Sequence, residues 1–153
     1  AAGNALFLSG DLGGAEQRFR KAASLRRDYP EAHHNLGCIL AQSGRHDLAV
    51  QEFRTALLLD PGYAESRHNL GKALFVTGHP QEALEELRQV AEIQPPRAAY
   101  LQTYSIALMK SGERDEAMRR AKQALALAEA DGNSALAEQI RSEISSLTPE
   151  KSR

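Results

Sequence analysis

The chain has little cysteine, no long apolar run and almost no charge imbalance, and each shortage excludes something. A single cysteine, Cys38, rules out an internal disulfide and leaves the redox compartment unmarked. No apolar stretch approaches the roughly 18 residues that a membrane-crossing helix needs, so no membrane partner is expected. Lys and Arg total 19 against 20 Asp and Glu, a formal net charge of -1 that offers nucleic acid no general attraction. The first residue is Ala1, not Met, and no basic-then-apolar signal segment precedes it. The expectation is a soluble piece, processed or excised from a longer precursor, whose compartment stays open. What is present is ordinary: 153 residues, 42% hydrophobic and 25% charged, enough for one domain with a real core.

The informative feature is internal repetition. Asn35, Leu36, Gly37, Leu40, Gly44, Ala49, Phe53, Ala56 and Pro61 return 34 residues later as Asn69, Leu70, Gly71, Leu74, Gly78, Ala83, Leu87, Val90 and Pro95. One period earlier stand Gly3, Leu6, Gly10, Ala15, Phe19 and Ala22; one period later, Leu108, Gly112, Ala117 and Ala124. Four copies without insertion signal a solenoid.

Each copy reads as two helices. In the second copy they span about Pro30–Gln42 and His46–Leu59, broken at Ser43-Gly44, where glycine tolerates a left-handed backbone. The third copy breaks at Thr77-Gly78 and starts its second helix at Pro80, where a missing amide costs nothing. Asp60-Pro61-Gly62 and Gln94-Pro95-Pro96 end the second helices. With copy positions counted from Pro30, positions 4, 7, 8 and 11 share one side of the first helix, and 2, 5, 6, 9, 12 and 13 the other. Small Gly37 and Ala49 let the hairpin close, with Leu40 and Phe53 filling the space beside them. One hairpin cannot enclose that face, so stacked copies must share a core.

The set Leu-Gly at positions 7 and 8, Gly at 15, Ala at 20, an aromatic at 24, Ala at 27 and Pro at 32 resembles the tetratricopeptide repeat (TPR), over roughly residues 1–131. The resemblance implies an all-α, right-handed α-solenoid of helical hairpins plus a C-terminal capping helix. Its divisions are residues 1–29 (a copy truncated at its start), 30–63, 64–97, 98–131, a terminal helix over 132–148 and a tail over 149–153. The chain departs from the pattern in places. His33, Arg67 and Leu101 stand where the family often has Trp, and the fourth copy carries Tyr104-Ser105 for Leu-Gly and Ala121 for the aromatic. Looser packing is expected there.

The ends differ in character. Asp131-Gly132-Asn133 is a loop with Asn133 or Ser134 as N-cap, followed by a helix over 134–147 whose Leu136, Ile140, Ile144 and Leu147 form an apolar stripe. The opening stretch, with Leu6 and Phe7, is apolar and uncapped. Either further copies precede it, or another molecule covers it. In the second case Leu6, Phe7, Leu136 and Ile140 would join copies head to tail into a fibre.

If the stack curves as the family does, its concave side carries Phe7, His34, Asn35, Cys38, His68, Asn69, Lys72, Phe75, Gln102, Thr103, Ile106 and Met109. Separated apolar anchors with amides and imidazoles between them suit a peptide or a partner helix; packing against neighbouring first helices is the plainer alternative. Asn35 and Asn69 repeat at position 6 and resemble the asparagine ladder of O-linked N-acetylglucosamine transferases, here with two rungs. The family's carboxylate clamp is not met, because Glu65 and Asn69 stand where cations are required.

Chemistry is not expected. His34 and Cys38 lie four apart with His68 one copy on, yet no fourth metal ligand is evident. Gly71-Lys72 sits mid-helix and is no phosphate loop, and no nucleophile, base and orienter assemble from the spacing. No cofactor, metal or catalytic residue is therefore assigned. The expected work is that of a non-catalytic scaffold holding a protein segment. Self-assembly and service as the docking arm of a larger enzyme are the alternatives.

Overall fold

The structure, a computed structural model, describes residues 11–26 and 28–147. These form eight α-helices: α1 (Leu12–Leu25), α2 (Pro30–Gln42), α3 (His46–Leu59), α4 (Ala64–Val76), α5 (Pro80–Ala91), α6 (Ala98–Lys110), α7 (Arg114–Ala130) and α8 (Ser134–Leu147). No strand occurs among the described residues. Leu6 and Phe7, with the rest of the opening stretch, and the tail from residue 148 lie outside them. The chain divides between His79 and Pro80 into two compact units, α1–α4 and α5–α8. The two helices of the third copy, α4 and α5, thus belong to different units.

In the first unit, α1 packs on α2, α2 on α3, and α3 on α4. Asp11 caps α1 by accepting the Gly14 amide at 2.9 Å. The turn from α2 to α3 depends on Gly44, at φ 75°, which any side chain would strain. It brings the Arg45 amide to the Leu40 carbonyl at 2.8 Å and the Gly44 amide to that of Ala41 at 3.1 Å, closing the helix end. The same turn recurs at Gly78 and Gly112. Phe19, Leu36, Ile39, Leu40, Phe53, Leu70 and Leu74 are buried, with Ala15, Ala32, Ala49 and Ala56 between them. Ile39 lies outside the expected face; with Ala32 seven residues before it, it forms a second buried line along α2. At the position where the family often has Trp, His33 Nδ1 instead meets Glu52 Oε2 at 2.8 Å. Arg45 grips Glu16 with two bonds, 3.1 and 2.5 Å, and this pairing holds the Glu16 carboxyl below its ordinary range.

In the second unit, α5 packs on α6, α6 on α7, and α7 on α8. Ala117, Ala121, Ala124 and Ala128 make a fully buried stripe of small side chains on α7. The looser packing expected in the fourth copy does not occur. Tyr104 is 7% exposed, Ser105 3% and Ala121 1%. The Arg120 guanidinium lies 5.7 Å over the Tyr104 ring.

The fourth copy departs at its end instead. The second helices of copies two and three end at Leu59 and Ala91, before Pro61 and Pro95, but the equivalent residue here is Glu129, and α7 runs on to Ala130. A three-residue link with Gly132 at φ 68° follows, and the Asn133 amide reaches the Ala128 carbonyl at 2.8 Å. That is the turn otherwise found between the first and second helices of a copy. Asn133 then caps α8, its Oδ1 accepting the Leu136 amide at 3.2 Å.

Candidate functional site

A groove of about 550 Å³ opens between α2 and α4 in the first unit. Helix periodicity brings His34, Asn35 and Cys38 to it from α2, and Asn69 and Lys72 from α4. Ala41, Gln42, His46 and Val76 extend it, and Phe53 and Ala73 form part of its floor. Among the residues expected on this face, His68 and Phe75 are half-buried and do not line it.

Most of the lining is neutral. The His34 ring tilts against Tyr63 at 4.8 Å and Phe53 at 5.8 Å, and its Nε2 lies 3.6 Å from Cys38 Sγ. Burial pushes His34 below the ordinary imidazole value, only partly offset by Glu65. Its Nδ1 is buried with no hydrogen-bond partner among the described residues. Asn69 Nδ2 donates to Cys38 Sγ at 3.5 Å. Burial raises the Cys38 thiol, and the Asn69 bond and the Lys72 charge only moderate that rise. A thiol held protonated is a poor nucleophile and a poor metal ligand. Beside the groove, burial and then the Lys72 charge push His68 down to about 4, while burial and nearby acids push Tyr63 up to about 12. Among the described residues, no three His, Cys, Asp or Glu side chains gather as a metal site would need. What the groove offers is amides, uncharged imidazole, apolar surface and one ammonium.

The second unit treats the corresponding face differently. Gln102, expected on the open side, is 7% exposed, and its Nε2 donates to Glu143 Oε1 on α8 at 2.8 Å. The physical reason is that α8, the terminal helix expected over 134–147, returns a carboxylate to α6. Ile106 and Met109 line a small cavity of about 210 Å³ together with Glu143. Thr103 is half-buried and bonds back to the Ala99 carbonyl at 3.0 Å. Of the residues assigned to self-assembly, Leu6 and Phe7 lie outside the described residues, and Leu136 is half-buried. Ile140 is 0% exposed: α8 packs on α7, and this side chain is spent inside its own unit.

Val76 and His46 were not among the residues assigned to this face. Val76 is position 13 of its copy, on the side that the periodicity marks as open, one helical turn beyond Lys72. His46 belongs to the second helix of its copy, and first-helix periodicity carries no signal for it.

No helix among the described residues is long and apolar enough to cross a membrane. Comparison with curated proteins finds no match. Among solved structures, MamA of Desulfovibrio magneticus RS-1 is similar with a TM-score of 0.77 and 18% identity, over 95% of this chain and 90% of that one. YrrB, described as a TPR protein with an unusual peptide-binding site, matches with a TM-score of 0.71 and 18% identity, over 97% of this chain and 84% of that one. An O-GlcNAc transferase of Thermobaculum terrenum matches with a TM-score of 0.74 and 26% identity, over 84% of this chain but only 24% of the transferase. One family described as TPR repeat matches residues 3–44, and a second described as Tetratricopeptide repeat matches residues 40–105. The chain belongs to the tetratricopeptide repeat family, an all-α solenoid class whose members are generally protein-interaction scaffolds.

Proposed function

We propose that this chain is a non-catalytic scaffold module that holds a protein segment in the groove between α2 and α4. One observation carries the reading: first helices of successive copies leave an open space of about 550 Å³ walled by the amides of Asn35 and Asn69. Side-chain amides donate and accept, so they can bond a segment's main chain whatever its side chains. The adjoining apolar surface gives such a segment something to bury. The protonated thiol of Cys38 and the uncharged His34 suit holding a ligand better than transforming one. The test is selection of displayed random peptides on the intact chain, followed by affinity measurements on Asn69→Ala and Val76→Arg variants. Loss of binding with unchanged helicity supports the groove. Peptides that bind both variants as well as the parent refute it.

A second reading, that the module is the docking arm of a larger enzyme, is favoured by the 26% identity to part of an O-GlcNAc transferase. The reading frame that encodes the chain decides it: a catalytic domain in the same polypeptide supports the arm, and its absence removes it.

A further inference from the structure

The lining of the α2–α4 groove contains no carboxylate. Its permanent charge is Lys72, which is exposed and forms no ion pair with any described residue. His46 of α3 also lines the groove and is half-buried. One turn along α4 from Lys72, Val76 presents an aliphatic side chain that is 63% exposed. A cation and an apolar contact therefore sit side by side on one helix face, between walls of neutral amides.

The second unit offers a contrast: there α8 meets α6, and Glu143 of α8 bonds Gln102 beside Ile106 and Met109. The α2–α4 groove has no acid among its lining residues, so the carboxylate that answers Lys72 is one that a ligand brings.

We propose that the α2–α4 groove takes a protein segment that sets an Asp or Glu carboxylate against Lys72 and an aliphatic side chain against Val76. The proposal rests on the reading above, that the groove holds a protein segment, and adds the chemistry of that segment. Recognition is then salt-sensitive and selective for acidic sequences, because a segment bringing Lys or Arg meets Lys72 with like charge.

The experiment selects a displayed library of random short peptides on the intact chain and on its Lys72→Glu variant, with circular dichroism confirming that both are folded. Each selected peptide is scored for protection of Cys38, the chain's only thiol, from alkylation. The expected result is a set of peptides that protect Cys38, are enriched in Asp or Glu next to Leu, Ile or Val, and bind Lys72→Glu about tenfold or more weakly. Lys72→Arg should retain them. Peptides that protect Cys38 but show no acidic enrichment and bind both chains equally overturn this proposal while leaving the groove as a binding site. Selection that yields no peptide protecting Cys38 overturns the groove reading itself, and this proposal with it.

Discussion

A Cβ placed on Gly37 would lie 2.6 Å from the Phe53 ring, closer than two carbon atoms can approach. Phe53 is 1% exposed, so the ring has no free space to retreat into. In most helices Gly→Ala gains up to about 1 kcal/mol. Here overpacking reverses the sign, and Gly37→Ala is expected to cost about 1–3 kcal/mol. Adding Phe53→Leu to Gly37→Ala should recover part of that loss, because the smaller side chain leaves room for the methyl group. Urea unfolding of the two single variants and the double variant measures the coupling; additive losses would mean the contact does not matter.

Acid should weaken the fold before its carboxylates titrate. His68 is held down to about 4 by burial first and the Lys72 charge second, against an ordinary value of 6.5, and His34 is lowered in the same direction. A histidine that binds its proton more weakly when folded favours the folded state at neutral pH. That contribution is lost as pH falls from about 6.5 towards 4, and is constant below, where both states are protonated. For His68 the loss is up to about 3 kcal/mol. Glu16, Glu85 and Glu116 are lowered from 4.5 by their arginine partners, so their losses come at lower pH. Unfolding free energy measured across this range should slope, and His68→Gln should flatten the slope. In an NMR titration, Lys72→Gln should raise the His68 midpoint.

The seat of α8 depends on one amide. Glu143 Oε1 accepts from Gln102 at 2.8 Å and from Gln139 at 3.3 Å, while Oε2 is buried with no partner among the described residues. Gln102→Ala removes the shorter bond from a carboxylate already short of donors, at a cost of about 1–3 kcal/mol. Hydrogen exchange should accelerate in α8 and leave α2 and α3 unchanged. Uniform protection throughout would show that the alanine stripe of α7, and not this bond, holds α8 in place.

Gly132→Ala tests the link before α8. At φ 68° an L side chain is strained whatever space surrounds it, and nothing lies within 4 Å of the added methyl group. The expected loss is about 1–2 kcal/mol from backbone strain alone. Calorimetry of the variant should show a lower Tm with unchanged helicity at low temperature.

Helix boundaries were legible because glycine and proline act locally. Pro30, Gly44, Gly78 and Pro80 mark where helices start and stop, and the 34-residue period repeats each mark. The groove side chains of α2 and α4 followed from 100° stepping along each helix. What periodicity could not carry was anything set by a departure from it. Glu129 stands where the earlier copies have proline and α7 runs on to Ala130, while Gln102 is buried under Glu143 of α8 and Ile140 is 0% exposed. Substitution in pairs was equally opaque: Tyr104-Ser105 for Leu-Gly and Ala121 for the aromatic suggest loose packing, yet all three residues are buried. The neutrality of His34 follows from its rings of neighbours, Tyr63 and Phe53, and no spacing rule reports burial of that kind.

The three-residue link at Gly132 also tells an engineer where this chain can be lengthened. Splicing an additional 34-residue module at the Asp60–Tyr63 connection reproduces a junction the molecule already uses to hand one hairpin on to the next. Grafting the same module behind Ala130 would launch it from the wrong type of corner, out of phase with every earlier one, and the new hairpin would meet a surface cut for a different neighbour.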